Sequence, residues 1–143
     1  MVLDQSVGFL INITGRKITH HFATQLSAHE ITPEQWSVLS CLCEQDGISQ
    51  KSLAARVVKD PTNITRILDQ LERKGLALRR TNPVDRRSFS AFVTDKGNQM
   101  QAELSSIEEQ FMNSILQGLS EQQIDQLKQT LIHIVNQTSN INS

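Results

Sequence analysis

Hydrogen-bonding side chains gather at the start of a helix that the sequence predicts at residues 61–74. Guanidinium and amide groups form paired hydrogen bonds with base edges, and the N-terminal residues of a recognition helix reach those edges in a DNA groove. The polar face of this helix consists of Thr62, Asn63, Thr65, Arg66 and Gln70. Two interpretations stay open for it: a surface that reads bases, or the solvated face of an ordinary surface helix.

A predicted β-hairpin at residues 76–93, the wing, follows this helix and carries a second set of charged side chains. Turn-forming residues at 81–85 separate two short stretches, and Arg86 and Arg87 come directly after them. Two adjacent arginines at a turn contribute little to folding, but they suit phosphates or a narrow minor groove. Asp85 is predicted to organise the wing rather than to contact DNA, because phosphate repels a carboxylate.

The helix at 61–74 has start and stop signals at both ends. Asp60 is a favourable N-cap, Pro61 suits the first helical position, and Gly75 ends the helix after two basic residues. Its apolar residues recur at the spacing of one buried stripe. They are Ile64, Ile67, Leu68 and Leu71.

A shorter helix at 50–57, joined to the first by residues 58–60, completes a helix-turn-helix. Gln50 and Lys51 lie at its start, where backbone N–H groups and a lysine can hold a phosphate; a solvated lysine is the alternative. The full set of predicted DNA contacts is Gln50, Lys51, Pro61, Thr62, Asn63, Thr65, Arg66, Arg79, Arg86 and Arg87.

Positive charge is concentrated in this part of the chain. Residues 51–87 contain ten basic and four acidic side chains, a net charge of +6, whereas the rest contains four basic and eleven acidic side chains, a net charge of −7. A basic segment within an acidic chain is typical of a DNA-binding face whose remainder is turned away from the duplex. The charge pattern therefore favours the base-reading interpretation.

Several short motifs here resemble those of the multiple antibiotic resistance regulator (MarR) family. They are Asp85-x-Arg87, Phe92-Val93-Thr94 and Lys96-Gly97 around the wing, and Leu71-Glu72-Arg73-Lys74-Gly75-Leu76 at the end of the recognition helix. The resemblance covers about residues 6–138, and its specific part is 48–97. At residues 91–93 the chain departs from the smaller aliphatic residues and leucine that are usual in the family. The resemblance implies a two-fold dimer built on the terminal helices.

The predicted fold is mainly α with a small β-wing: a winged helix-turn-helix plus terminal helices that form a dimer interface. Capping boxes at Thr32 and Ser120 mark two of the helix starts. Helices are predicted at 5–28, 33–45, 50–57, 61–74, 95–118 and 121–137. All of them belong to one domain, 1–143, in which about 31–97 is the winged helix-turn-helix and about 5–28 and 98–138 are dimerisation helices.

The terminal helices are apolar on faces that a small winged helix cannot cover. Burial against a second copy is the favoured explanation, and a thicker monomeric core is the alternative. The resemblance also implies a pocket for a small aromatic or amphipathic ligand between the dimer helices and the winged helix. The residues predicted to line it are His20, Phe22, Trp36 and Met100, each of which is also a common core residue.

No residue pattern predicts catalysis, a metal site or a cofactor. The four histidines lack the spacing of a zinc site, and neither a glycine-rich phosphate loop nor a nucleophile motif occurs. Cys41 and Cys43 point about 200° apart on one helix, so they cannot share an ion or a disulfide. They are interpreted as small buried hydrophobes, and oxidant sensing stays an open alternative.

These observations predict a sequence-specific, DNA-binding transcriptional regulator that is not an enzyme: a ligand-responsive homodimeric repressor on a pseudo-palindromic operator. The alternatives are a winged-helix protein-interaction module without DNA binding and a metal- or redox-dependent sensor. A cytoplasmic location is expected, because the N-terminal residues do not resemble a signal peptide and no apolar stretch approaches the length of a membrane span.

Overall fold

The computed structural model describes residues 2, 5–57, 61–85 and 87–141, except for the side chains of residues 61 and 62. The helices are α1 (Val7–Ser27), α2 (Pro33–Glu44), α3 (Gln50–Val57), α4 (Pro61–Arg73), α5 (Asp95–Ile115) and α6 (Glu121–Ile141). The strands are β1 (Ile48–Ser49), β2 (Ala77–Thr81) and β3 (Phe89–Val93). The predicted cap Asp60, the turn at 58–60, Arg86 and the side chains of Pro61 and Thr62 lie outside this description.

The predicted fold class, mainly α with a small β-wing, is confirmed. The helix ends differ most at the C-terminus: α5 ends at Ile115 rather than at 118, and α6 continues to Ile141 rather than stopping at 137. Gly118 has a φ of 97°, a left-handed conformation that an α-helix cannot contain, so the predicted end of α5 was too late. The capping boxes at Thr32 and Ser120 are both present.

The chain forms two compact units, residues 1–108 and residues 109–143. In the first unit, α2, α3 and α4 pack against one another around an apolar core. The predicted α4 stripe of Ile64, Ile67, Leu68 and Leu71 is at most 1% exposed. From α3, Leu53 is fully buried in the same core. Burial of this stripe leaves the polar face of α4 on the surface.

A three-stranded antiparallel sheet in the order β1-β3-β2 supports the wing. Strand β1 was not predicted; Ile48 pairs with Ala91, and Ser49 pairs with Ser90. Ala91 is fully buried. The Phe92 ring packs against Gly47, so closely that a Cβ on Gly47 would lie 3.1 Å from the ring. The departure from the family pattern at residues 91–93 is thus accommodated by a glycine that leaves room for the Phe92 ring.

Apolar side chains are exposed along α1 in the first unit and along α6 in the second. In α1, Val7, Leu10 and Ile11 are between 43% and 70% exposed. In α6, Leu127 and Leu131 are each 42% exposed, and no described residue of this helix is buried within the single chain. Among the described residues, no helix is long and apolar enough to cross a membrane.

Candidate nucleic-acid interface

The first turns of α4 carry side chains that contact one another and the start of α3. Arg66 Nη2 donates a hydrogen bond to Asn63 Oδ1 at 3.3 Å, and Arg66 is exposed. Gln50 Nε2, at the start of α3, donates to Thr65 Oγ1 at 2.6 Å. The structure therefore brings four predicted contact residues to the beginning of α4 and joins two of them across the helix-turn-helix.

Lys51 is exposed in the first turn of α3, beside a serine cap. Ser49 Oγ accepts a hydrogen bond from the Ser52 N–H at 3.1 Å and donates to Ser52 Oγ at 2.9 Å. An ammonium group beside a helix N-terminus is suited to an anion, since the helix dipole is positive at that end.

Asp85 organises the turn of the wing through both of its carboxylate oxygens. Oδ1 accepts the Arg87 N–H at 3.1 Å, and Oδ2 accepts the Ser88 hydroxyl at 3.1 Å. The Arg87 guanidinium lies 3.8 Å from the same carboxylate, and 96% of its side chain is exposed. The turn is thus held by Asp85 while the Arg87 side chain extends into solvent, where a phosphate could contact it.

The guanidinium of Arg79, which was predicted to contact DNA, is bonded to carboxylates of the same chain. Its Nε donates to Glu72 Oε1 at 2.7 Å, its Nη2 pairs with Asp69, and its side chain is only 19% exposed. Burial alone would lower the pKa of this guanidinium, but its hydrogen bonds to the two carboxylates raise the pKa above the usual value. Through these bonds Arg79 joins the wing to α4.

Arg80 lies on the other face of the same strand and provides a comparison. Its guanidinium stacks over the Phe92 ring at 5.1 Å, and the residue is exposed. Strand alternation gives Arg79 and Arg80 opposite directions, so only one of them can face α4. The sequence alone does not show which of the two arginines faces α4; in the structure Arg79 pairs with its carboxylates and Arg80 is exposed.

We expect Arg79→Ala to lower the free energy of unfolding by about 1 kcal/mol, because it leaves two partly exposed carboxylates unpaired at the base of the wing. Arg80→Ala removes the same charge from the adjacent position and should change the free energy by less than about 0.5 kcal/mol. Urea denaturation of both variants at one protein concentration measures the difference. Equal losses would contradict the internal role of Arg79.

Two of the four predicted pocket residues, Phe22 and Trp36, are in direct contact. The Phe22 and Trp36 rings pack edge to face with centroids 5.3 Å apart, and Trp36 Nε1 is buried without a hydrogen-bond partner among the described residues. His20 instead lines a shallow cavity of about 580 Å³ along α1, together with Ile11, Asn12, Gly15, Arg16, Thr19 and Ala23. Met100 is half-buried on α5.

Cys41 and Cys43 are both free thiols that are half-buried in α2. Burial, and secondarily the charge of Asp46, raises the pKa of the Cys43 thiol above its ordinary value. A raised pKa disfavours the thiolate that oxidants attack. Within the described ranges, no group of three or more His, Cys, Asp or Glu side chains could hold a metal ion.

A helix-turn-helix with a β-hairpin beside its second helix defines the winged helix-turn-helix class of DNA-binding proteins. Within this class, the chain belongs to the MarR family of transcriptional regulators and is not an enzyme. The sequence profile of the MarR family matches residues 31–89. The HTH-type transcriptional regulator SarZ of Staphylococcus saprophyticus is 30% identical over 134 residues, covering 94% of this chain and 90% of SarZ.

Solved structures of similar fold agree with this assignment. A MarR-family regulator from Rhodococcus sp. RHA1 has a TM-score of 0.87 at 26% identity, covering 94% of this chain and 95% of its own. The transcriptional repressor CouR of Rhodococcus jostii RHA1, solved bound to a 23-mer DNA duplex, has a TM-score of 0.86 at 27% identity and covers 93% of this chain and 94% of its own. The similarity thus extends over nearly the full chain.

Proposed function

We propose that this protein is a cytoplasmic, homodimeric repressor that binds a pseudo-palindromic operator and releases it when a small aromatic or amphipathic molecule binds. The observation that carries the proposal is the exposed Arg66, oriented by Asn63 on the first turns of a helix whose opposite face is fully buried. A guanidinium in that position can form a bidentate contact with guanine in the major groove.

Each protomer would place α4 in the major groove and the wing along the adjacent minor groove. Asn63, Thr65 and Arg66 would contact bases, and Gln50 would support Thr65 or reach the backbone beside it. Lys51 would hold a phosphate, as would Arg87 where it does not enter the minor groove. Pro61, Thr62 and Arg86 complete the proposed surface. Arg79 is left out because Asp69 and Glu72 already hold its guanidinium.

The dimer would form through the terminal helices, about residues 5–28 and 98–138, with about 31–97 as the DNA-binding part of one domain. The exposed leucines of α6 and the exposed apolar residues of α1 support this division, because apolar stripes of that length need a partner to cover them. A two-fold axis between the protomers would present two copies of α4 to successive major grooves.

A ligand would act by stabilising a dimer whose recognition helices are wrongly spaced for DNA. The Trp36 indole N–H supports a site near Phe22, since a buried donor that has no partner among the described residues is available to an acceptor on a ligand. Aromatic ligands would suit this place, because the edge-to-face pair offers aromatic surface for them.

Selection of bound duplexes from a random pool, with sedimentation of the purified protein, tests the proposal directly. We expect a dimer at micromolar concentration and an enriched pseudo-palindrome whose half-sites are about 10 base pairs apart. A monomer that binds a single half-site would contradict the proposal. A protein that enriches no sequence would contradict operator recognition itself.

Removal of both wing arginines, Arg86→Ala with Arg87→Ala, should reduce DNA affinity at least about tenfold, or about 1.4 kcal/mol. The thermal unfolding temperature and the dimer should change little, because 96% of the Arg87 side chain is exposed and arginines of a turn contribute little to folding. Fluorescence anisotropy with the selected duplex measures the loss. Normal binding by the double variant would remove the wing from the interface, and unfolding would assign the arginines a structural role.

A further inference from the structure

Among the described residues, one polar side chain is buried in the core, and it is Gln35 in the first turn of α2, which is 4% exposed. Its carboxamide makes three hydrogen bonds. Nε2 donates to Gln70 Oε1 on α4 at 2.8 Å, while Oε1 accepts from Lys74 Nζ at 2.8 Å and from the Thr32 N–H at 3.3 Å. Gln35 therefore serves the capping box of α2 and also holds α4.

Lys74 extends this arrangement to the corner between α1 and α2, which comprises residues 28–32. Its ammonium group also donates to the carbonyl of Glu30, a residue with a left-handed φ of 58°. The corner is thereby tied to the C-terminal end of α4 by hydrogen bonds. We call Gln35, Gln70, Lys74 and the Glu30 carbonyl the Gln35 network.

The start of α5 holds the same end of α4 from another side. Lys96 Nζ donates to the Lys74 carbonyl at 2.9 Å, and Thr94 Oγ1 donates to the Gly75 carbonyl at 2.7 Å. These carbonyls at the end of α4 would otherwise lack intrahelical partners. Both bonds are made to Lys74 and Gly75, directly after the last residue of α4, so they hold the helix at the end far from Asn63.

The hydrogen bonds of the Gln35 network are half-buried, except for the exposed bond from Lys74 to the Glu30 carbonyl. When one group of a half-buried bond is displaced, its partner must move with it or lose the bond, which costs free energy. Two residues of α1 pack near this corner. Leu26 is fully buried, and Phe22 packs on Trp36, the residue that follows Gln35 in α2. A shift of α1 would thus displace the corner, and the network would pass the shift to α4.

We propose that Gln35 is a positioning residue for the recognition helix: the Gln35 network sets the angle at which α4 meets DNA and couples it to the corner between α1 and α2. The inference rests on the proposed function for its DNA readout, because it assumes that α4 reads the operator. It adds a residue that touches no base and still controls base recognition.

The test compares operator and random-duplex affinities of three network variants and one control. Gln70→Leu breaks only the bond to Gln35, Gln35→Leu breaks all three bonds, and Gln35→Glu keeps both acceptor roles while the Gln70 amide rotates to donate. The control is Gln101→Leu, which removes a half-buried glutamine that bonds Ser105 within its own helix.

Gln70→Leu and Gln35→Leu should each lower operator affinity about tenfold while random-duplex affinity changes less than about twofold, because the charges that bind the backbone stay in place. Gln35→Glu and Gln101→Leu should bind the operator within about twofold of the unaltered protein. The double variant of Gln35 and Gln70 should lose no more than Gln35→Leu alone, since both changes remove one shared contact. Additive losses would mean that Gln70 touches DNA itself, and they would overturn the proposal.

Equal losses of affinity on both duplexes, or no loss of affinity, would also overturn the proposal. The Gln35 network would then contribute to stability alone. If Gln35→Leu does not fold, the affinities of Gln70→Leu alone decide between these outcomes. Amide hydrogen exchange separates this inference from the proposed function: Gln70→Leu should accelerate exchange at residues 30–35 whether or not the protein selects an operator. Unchanged exchange there would refute the coupling even if operator binding is found.

Discussion

Gly97→Ala should lower the free energy of unfolding by about 3 kcal/mol, near the upper end of the usual cost of overpacking. Gly97 is buried in the first turn of α5, where its N–H donates to Thr94 Oγ1 at 3.0 Å. An added Cβ would overlap the Leu76 carbonyl oxygen and lie 2.7 Å from Val93 Cγ2. That carbonyl already accepts the Thr94 N–H at 3.1 Å, so neither the strand nor the helix can move away without losing this contact.

Chemical denaturation of the protein at a fixed concentration measures this loss, with Gly8→Ala as the matched control. Within one chain, the contact that a Cβ at Gly8 in α1 would make among the described residues is with Ser6 Oγ, at an ordinary 3.9 Å. Because alanine favours a helix over glycine by roughly 0.5–1 kcal/mol, the control should be neutral or slightly more stable. If the Gly97→Ala protein is as stable as the control, Leu76 and Val93 can move away from residue 97 at little cost, and the expected overpacking does not occur.

Arg66→Ala should weaken binding to the selected operator by about 1–3 kcal/mol, the usual worth of one bidentate base contact. Random duplexes should lose less, because only the charge of the side chain acts on them. Asn63→Ala should also lower operator affinity selectively, since Asn63 Oδ1 accepts the hydrogen bond that orients the Arg66 guanidinium in the unbound protein. Titration of both duplexes at one salt concentration gives the comparison.

Lys51→Ala is the control for charge alone. Lys51 is exposed at the start of α3, and its loss should weaken operator and random DNA alike and flatten the salt dependence by about one unit. If Arg66→Ala and Asn63→Ala instead lower affinity equally on both duplexes, these residues contact the backbone. Base recognition would then have to come from another part of α4.

The elements that bear the candidate interface could be predicted because their signals are local. The α4 stripe from Ile64 to Leu71 has the spacing of one helical face, and all four of its residues are buried as expected. The capping boxes at Thr32 and Ser120 depend on residues three positions apart and are present. Such patterns involve neighbours within one turn, so they do not depend on how the chain folds back.

The contacts that join these elements could not be predicted in the same way. Gln50 meets Thr65 on the following helix, and Gln35 meets Gln70 and Lys74 across the core. As a sequence feature, Gln35 was only the third residue of a capping box. Its burial follows from the packing of α2 on α4, which no local spacing determines.

The sequence by itself determined the helices, the wing, the basic segment and the set of polar residues from which an interface could be made. Only the tertiary structure decided which of them remain available to DNA. Strand alternation shows that Arg79 and Arg80 face opposite ways, but the packing of β2 on α4 turns Arg79 toward Asp69 and Glu72 and leaves Arg80 exposed. The two-residue strand β1 was likewise decided by pairing with β3, because two residues are too few to show an alternating pattern.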